Sequence, residues 1–370
     1  MPIEFAEKIS RIPAYPVAAG YSLGPDVAML ASNEAPFGPS EAVVAAASRV
    51  LSGTNRYPDP SYWELRTALS DRYGIPQQRI ALGNGSCDLL LAAGDAVLEP
   101  GAEVVYAWPS FSVYPHLAAA SGARAIEVPL DAQDCHDLDA MLAQITVATR
   151  LVVVCNPNNP TSTALPLERI EQFLDRVPRH VCVILDEAYV ELSLTVGDPL
   201  ASLPLLDRFP NLVLLRTFSK VYGLAGMRVG YGLCGSEALR TALDQVRQPF
   251  YLNAAAQAAA VEALRHQDEV ERRVALAVAG REQLADGVRA LGLAVAEPDA
   301  NFIWLHLPEP RESSEETARA DAEAAIVAGL RERGVLVRAG AALGRPGALR
   351  VTVGVEAENE MFLRALAATL

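Results

Sequence analysis

The sequence predicts an α/β fold: a large domain built on a mainly parallel sheet sandwiched by helices, followed by a smaller C-terminal α/β domain. Two observations carry this. The runs LVVVC (Leu151 to Cys155), VCVIL (Val181 to Leu185) and NLVLL (Asn211 to Leu215) are short, β-branched and continuously apolar, as strands covered on both faces should be. From Ile80 onward such runs alternate with helical stretches, the pattern of β-α units feeding a parallel sheet.

Taken in order, residues 1–35 read as an irregular arm rich in proline and glycine, including RIPAYP from Arg11 to Pro16. Residues 36–250 form the expected large domain, with its sheet between about residues 45 and 245. There the short strand RIAL leads through GNGS into the helix CDLLLAAGDAVL, and EVVYA follows as the next strand. Residues 251–370 form the expected smaller domain. It opens with a stretch from Asn253 to about Leu291 that favours helix throughout and reads as one long interdomain helix. ANFIWLHL, GVLVRAG and ALRVTVG then read as strands, interleaved with helices near Glu315 to Arg333 and Glu356 to Ala368. No internal repeat is visible.

The bulk properties narrow the function. At 370 residues the chain can bury a sizeable core. A formal charge of −14 without a long single-sign run argues against nucleic acid or an anionic membrane as partner. The odd set of cysteines, Cys87, Cys135, Cys155, Cys182 and Cys234, contains no CxxC. Neither a disulfide framework nor a metal site is therefore expected, and the simple reading is a reduced, cytoplasmic compartment. His116, His136, His180, His266 and His306 have no metal-ligand spacing either. The first thirty residues show no apolar leader-type run, and no uncharged apolar run approaches a membrane span.

The chemistry concentrates in the loops after strands, the edge where open parallel sheets bind ligands. The most informative is RTFSKVYGLAGMR, Arg216 to Arg228, in which NLVLL runs straight into Thr217, Ser219 and Lys220. A lysine at the end of a buried strand is desolvated, which lowers its pKa and frees the amine to form a Schiff base. Hydroxyls beside it and the guanidinium of Arg228 suit a phosphate, because arginine gives charge-assisted hydrogen bonds. Pyridoxal phosphate carries both an aldehyde and a phosphate. In GNGSCD the glycines let the backbone approach a ligand, and Ser86 opens a helix whose N-terminus favours phosphate. Asp88 stands where the dinucleotide motif GxGxxG needs glycine, so a nicotinamide cofactor is disfavoured.

Three further loops add to this. WPSFSVY, Trp108 to Tyr114, offers aromatic groups: Phe111 to cover a planar ring, Trp108 and Tyr114 for core packing. NPNNPTS, Asn156 to Ser162, has turn composition but follows LVVVC directly, which aims an amide at the same edge. In DEAY, Asp186 ends a fully apolar strand, where an uncompensated carboxylate costs several kcal/mol, on the order of other isolated buried charges. A protonated pyridine nitrogen would compensate it and keep the ring an electron sink, with Tyr189 donating to the ring's phenolate oxygen.

In this order, GNGS, the aromatic loop, NPNNPT, DEAY, SK and the arginine resemble the fold-type I pyridoxal-phosphate aminotransferases over most of residues 30 to 355. ASNEAPFGPS, NRYPDP, GNGS and LRVTVG are most similar to the histidinol-phosphate aminotransferase family. The resemblance implies pyridoxal 5'-phosphate as cofactor and Lys220, Asp186 and Tyr189 as catalytic residues. Lys220 would carry the cofactor, Asp186 would face its ring nitrogen, Asn159 and Tyr189 its phenolate oxygen, and Phe111 its ring face. Ser86, Ser219 and Arg228 would hold its phosphate, and Gly85, Cys87 and Thr217 would also be cofactor-binding. Tyr57 would reach that phosphate from a partner subunit, making a homodimer with shared active sites. Arg350 and Arg338, with Tyr15 of the arm and Asn33, would take the substrate. Three positions depart from the family pattern: Cys87 and Asp88 stand for aspartate and glutamate after GNGS, and Ser162 stands for glycine in NPTG.

The expected reaction is transamination between histidinol phosphate and 2-oxoglutarate, giving imidazole-acetol phosphate and glutamate, with the reverse direction serving histidine biosynthesis. An aromatic amino acid aminotransferase and a threonine-phosphate decarboxylase are the nearest alternatives in chemistry. A non-catalytic ligand sensor is the alternative of another class, and Lys220 together with Asp186 weighs against it.

Overall fold

The computed structural model describes residues 3–12, 27–310 and 315–370. After one helical turn, Lys8–Arg11, the strand β1 (Ala28–Met29) appears. The main sheet comprises β2 (Ile80–Gly83), β3 (Glu103–Trp108), β4 (Arg124–Pro129), β5 (Thr149–Cys155), β6 (Cys182–Asp186), β7 (Leu212–Thr217) and β8 (Gly230–Cys234). Their spatial order is β2-β8-β7-β6-β5-β3-β4, and β8 alone runs against the others. β2, β3, β5, β6 and β7 therefore all end at one edge.

The continuous apolar runs have the physical cause expected of them. Val152, Val154, Val183 and Leu185 face one buried cluster, while Leu151, Val153, Ile184 and Leu215 face another on the opposite side of the sheet. Both faces are removed from water, so neither can carry polar side chains, and polarity begins where each strand ends.

The smaller sheet contains β9 (Ala294–Val295), β10 (Phe302–His306), β12 (Arg338–Ala339) and β13 (Ala348–Thr352), antiparallel in the order β12-β13-β10-β9. β11 (Val335–Leu336) pairs instead with β1, in parallel register Ala28 to Val335. The end of the arm is therefore not irregular: Ala28 and Leu30 share a core with Leu284, Ile303, Val335 and Val351.

The expected single helix from Asn253 to Leu291 is two helices, Ala254–Arg265 and Gln267–Ala290, broken at His266 (φ −105°, ψ 67°). Asn253 caps the first by accepting from the Ala256 N–H. His266 Nε2 donates to the Glu262 carboxylate one turn back (3.0 Å), and Gln267 Nε2 donates to the Leu264 carbonyl, so side chains occupy the break. The first helix lies beyond the boundary expected at residue 250, yet Ala256, Ala259, Ala260 and Ala263 belong to the core of the large sheet. Its alanine face lets helix Glu41–Arg49 pack closely through Val43 and Ala47. Among the described residues no helix is long and apolar enough to cross a membrane.

Candidate active site

The edge where β2, β3, β5, β6 and β7 end borders a cleft of about 540 Å³. Ser86, Cys87, Phe111, Asn159, Asp186, Tyr189, Thr217, Ser219, Lys220 and Arg228 all line it, and the segment from β12 to β13 adds Arg338, Leu343 and Arg350. Asn33 and Glu34 close it from the segment after β1. Lys220 Nζ donates to the Asn33 backbone carbonyl at 3.0 Å and lies 5.5 Å from the centre of the Tyr189 ring. Burial, reinforced by the nearby Arg350 and Arg228 charges, brings its pKa down to about 7. The amine is thus poised for nucleophilic or proton-transfer chemistry near neutrality.

Asp186 sits at the bottom, buried at the end of β6. Its Oδ2 accepts from the Tyr114 hydroxyl at 2.9 Å and its Oδ1 from the Ala188 N–H at 3.2 Å. Desolvation raises its pKa to about 6, more than these donors lower it. A buried carboxylate so sparsely satisfied fits a cationic partner above it. Tyr189 accepts at its hydroxyl from Asn33 Nδ2 (3.1 Å), and burial pushes its pKa up, so the phenol stays protonated.

A cup of hydrogen-bond donors forms where β7, β8 and the helix Ser86–Val97 meet. Thr217 Oγ1 donates to Ser219 Oγ (3.0 Å), and Arg228, with a left-handed backbone (φ 57°), turns its guanidinium to Ser219 Oγ at 3.4 Å and the Asn84 carbonyl at 3.3 Å. Gly85 (φ 79°) caps the helix without lining the cleft, and a Cβ there would run into the Arg228 guanidinium. Gly230 keeps β8 close to the helix start, since a Cβ would lie 2.5 Å from the Ser86 nitrogen. Hydroxyls, a guanidinium, a helix N-terminus, a lysine of lowered pKa and a buried carboxylate are a donor set that fits pyridoxal phosphate. The side chain of Asp88 points away from this work: it accepts from the Asn84 N–H at 2.8 Å and pairs with Arg247.

At the wall formed by β12 and β13, Arg350 donates to Asn159 Oδ1 and to the Ala31 carbonyl, both at 2.6 Å. Arg338 stands directly across from it in the β12–β13 register. Tyr57 lies outside the cleft of its own chain, 81% exposed and stacked on Phe250 at 4.6 Å. Tyr15 lies outside the described residues.

Sequence reasoning missed several contributors. Asn158 is a buried hub, accepting from Ser110 at 2.7 Å, contacting His136 at 3.0 Å, and donating to Thr161 at 2.8 Å. Burial holds His136 neutral, its pKa lowered to about 4. Tyr114 is core, as expected, but also reaches Asp186. Ser162 adopts the left-handed backbone (φ 64°) that glycine favours. In exchange its hydroxyl accepts from the N–H groups of Asp299 (3.0 Å) and Ala300 (2.8 Å), stitching the loop to the segment before β10.

Comparison with known proteins agrees with this geometry. The family model of aminotransferase class I and II matches residues 25–366. An aromatic amino acid aminotransferase of Thermobifida fusca is 44% identical over 345 residues, 92% of this chain and 90% of that protein. Histidinol-phosphate aminotransferase 2 of Nitrosospira multiformis is 43% identical over 343 residues, 92% of this chain and 83% of that protein. The crystal structure of histidinol-phosphate aminotransferase from Sinorhizobium meliloti in complex with pyridoxal-5'-phosphate superposes with a TM-score of 0.85. It is 28% identical and covers 99% of this chain and 97% of that one. Fold, cleft and relatives converge: the chain belongs to the class I and II aminotransferases and is a pyridoxal-phosphate-dependent, fold-type I enzyme.

Proposed function

We propose that the enzyme transaminates between histidinol phosphate and 2-oxoglutarate, within histidine biosynthesis, as a homodimer. The observation that carries the substrate assignment is the juxtaposition of Arg338 and Arg350 across β12 and β13. Like charges at directly opposed positions repel, and among the described residues the Arg338 guanidinium has no hydrogen-bonded or ion-paired partner while that of Arg350 is engaged by Asn159 and Ala31. Two guanidiniums in one cleft suit a substrate with a dianionic phosphate, and equally the second carboxylate of 2-oxoglutarate.

Pyridoxal phosphate supplies an electron sink conjugated to the amino group being transferred. Lys220 would hold the cofactor, and its amine, of lowered pKa, would move the proton at the substrate carbon as general base and acid. Asp186 would keep the ring nitrogen protonated, Asn159 and Tyr189 would hold the phenolate oxygen, and Phe111 would cover the ring. The cup of Ser86, Cys87, Thr217, Ser219 and Arg228 anchors the phosphate, and the closely packed Gly85 and Gly230 give the backbone its approach. Tyr57, exposed beside Phe250, completes the partner's cup in the dimer.

The relative from Thermobifida fusca favours a second reading, an aromatic amino acid aminotransferase. The ratio of kcat/KM for histidinol phosphate and for phenylalanine, each with 2-oxoglutarate, decides between them because it reports differential transition-state binding. Histidinol phosphate is expected to win. A preference for phenylalanine or tyrosine transfers the assignment to the aromatic reading.

A further inference from the structure

The aromatic loop does two jobs at once. Phe111 faces the cleft, whereas Tyr114, three residues on at the start of helix Tyr114–Ser121, is fully buried and turned beneath it. The two rings meet edge to face at 5.8 Å and 89°, and Tyr106 braces Tyr114 from behind at 5.9 Å. So held, the Tyr114 hydroxyl has a fixed direction, and it donates to Asp186 Oδ2 at 2.9 Å.

We propose that Tyr114 is a positioning residue that keeps Asp186 ionised in the cofactor-free enzyme, so that the site is ready to receive the cofactor's ring nitrogen. This rests on the assignment of Asp186 to that nitrogen. The other groups around the carboxylate cannot substitute for the hydroxyl. Cys155, at the end of β5, is a buried thiol pushed well above its ordinary pKa and Cys87 is raised by burial, while Glu187 repels Asp186. Lys220 attracts it, but more weakly than the Tyr114 hydrogen bond, and the Tyr189 hydroxyl, which accepts from Asn33, makes no hydrogen bond to Asp186 among the described residues. Without Tyr114 the buried carboxyl retains only the Ala188 N–H, at 3.2 Å. It then holds its proton to higher pH, and a protonated acid must lose that proton before it can face a pyridinium.

The test uses pyridoxamine 5'-phosphate, which binds without covalent attachment to Lys220. Its dissociation constant from cofactor-free native protein and from Tyr114→Phe is measured between pH 6 and 8.5. Lys220 is present in both proteins, so its own titration largely cancels in the ratio of the two constants. The ratio is expected near one at pH 8.5, where Asp186 is ionised in both, and to rise to about tenfold or more at pH 6, one pKa unit corresponding to a factor of ten. In an Asp186→Asn background the same Tyr114→Phe ratio should be flat across the range. A flat ratio in the native background overturns the inference, since a merely structural hydroxyl lowers affinity or melting temperature without a pH signature. If Tyr114→Phe does not fold at pH 8.5, Tyr114→Met replaces it, and failure of both assigns the hydroxyl to the fold and also overturns the inference. If Asp186→Asn itself binds the probe like native protein at every pH, the Asp186 assignment fails instead.

Discussion

Lys220 is tied to Asn33: Nζ donates to the Asn33 backbone carbonyl at 3.0 Å, across 187 positions of sequence. Asn33 holds that pose through a left-handed backbone (φ 54°). Its amide group donates to the Tyr189 hydroxyl, its N–H donates to Thr352 Oγ1 at 2.9 Å, and its carbonyl is shared with Asn301 at 3.3 Å. One residue therefore touches the lysine, the tyrosine and the small-domain sheet. Any displacement of β13 is felt at the reactive amine.

Replacing Lys220 with alanine should leave cofactor binding through the phosphate cup but abolish covalent attachment, read by mass spectrometry after borohydride reduction. Turnover should fall by on the order of 10³-fold or more, the scale of a positioned general base. Transamination at the native rate would end the assignment of Lys220.

The same lysine gives a pH signature in cofactor-free protein. Its pKa in the folded state is about 7 against an ordinary 10.5, so between these values the unfolded chain binds a proton that the folded one does not. The contribution of this group to stability therefore rises with pH through that window and is lowest below about 7. Lys220→Met should raise the melting temperature of the cofactor-free protein, most at pH 6 and least near pH 10.5. An equal gain at both ends would show that the native amine is not desolvated.

Ser162 balances backbone strain against two hydrogen bonds. Ser162→Ala keeps the left-handed strain and strands the Ala300 N–H, while the Asp299 N–H keeps the Ser162 carbonyl at 2.7 Å, a loss of about 1–3 kcal/mol. Ser162→Gly removes the same bonds but relieves roughly 1 kcal/mol of strain. Denaturant unfolding should therefore rank serine above glycine and glycine above alanine. Alanine matching serine would mean that the hydroxyl contributes nothing.

Tyr57 should act across the dimer. Inactive Tyr57→Ala and Lys220→Ala proteins, mixed under subunit exchange, form hybrids with one doubly damaged and one intact site. Random exchange restores roughly a quarter of native activity in a twofold assembly. A monomeric active enzyme, or no recovery after exchange, would rule this out.

Much of the site was legible because buried parallel strands are apolar until they stop, so Asp186, Lys220 and Asn159 stand out at the ends of β6, β7 and β5. What escaped depends on tertiary register. That Arg338 faces Arg350 follows from the β12–β13 pairing, and nothing local in either strand announces it. The Tyr114 hydroxyl looks like core in sequence because all of it but one oxygen is core. The break at His266 carries no glycine or proline, and the two-residue strand β1 is too short for any periodicity. Asn158 reads as turn composition, yet its amide is a buried junction of three segments.

The pairing of β1 with β11 has a consequence for biosynthesis. Ala28 meets Val335, so β1 waits for its partner strand while more than 300 further residues leave the ribosome. The large sheet can close as a unit much earlier, from β2 to β8. Until the final strands arrive, Leu30 and its neighbours remain exposed apolar surface for a chaperone to shield, and Asn33 lacks the Thr352 and Asn301 contacts that fix it. The reactive lysine thus acquires its tether last, and a nascent chain cut short before β13 would hold the framework of the cleft without its alignment.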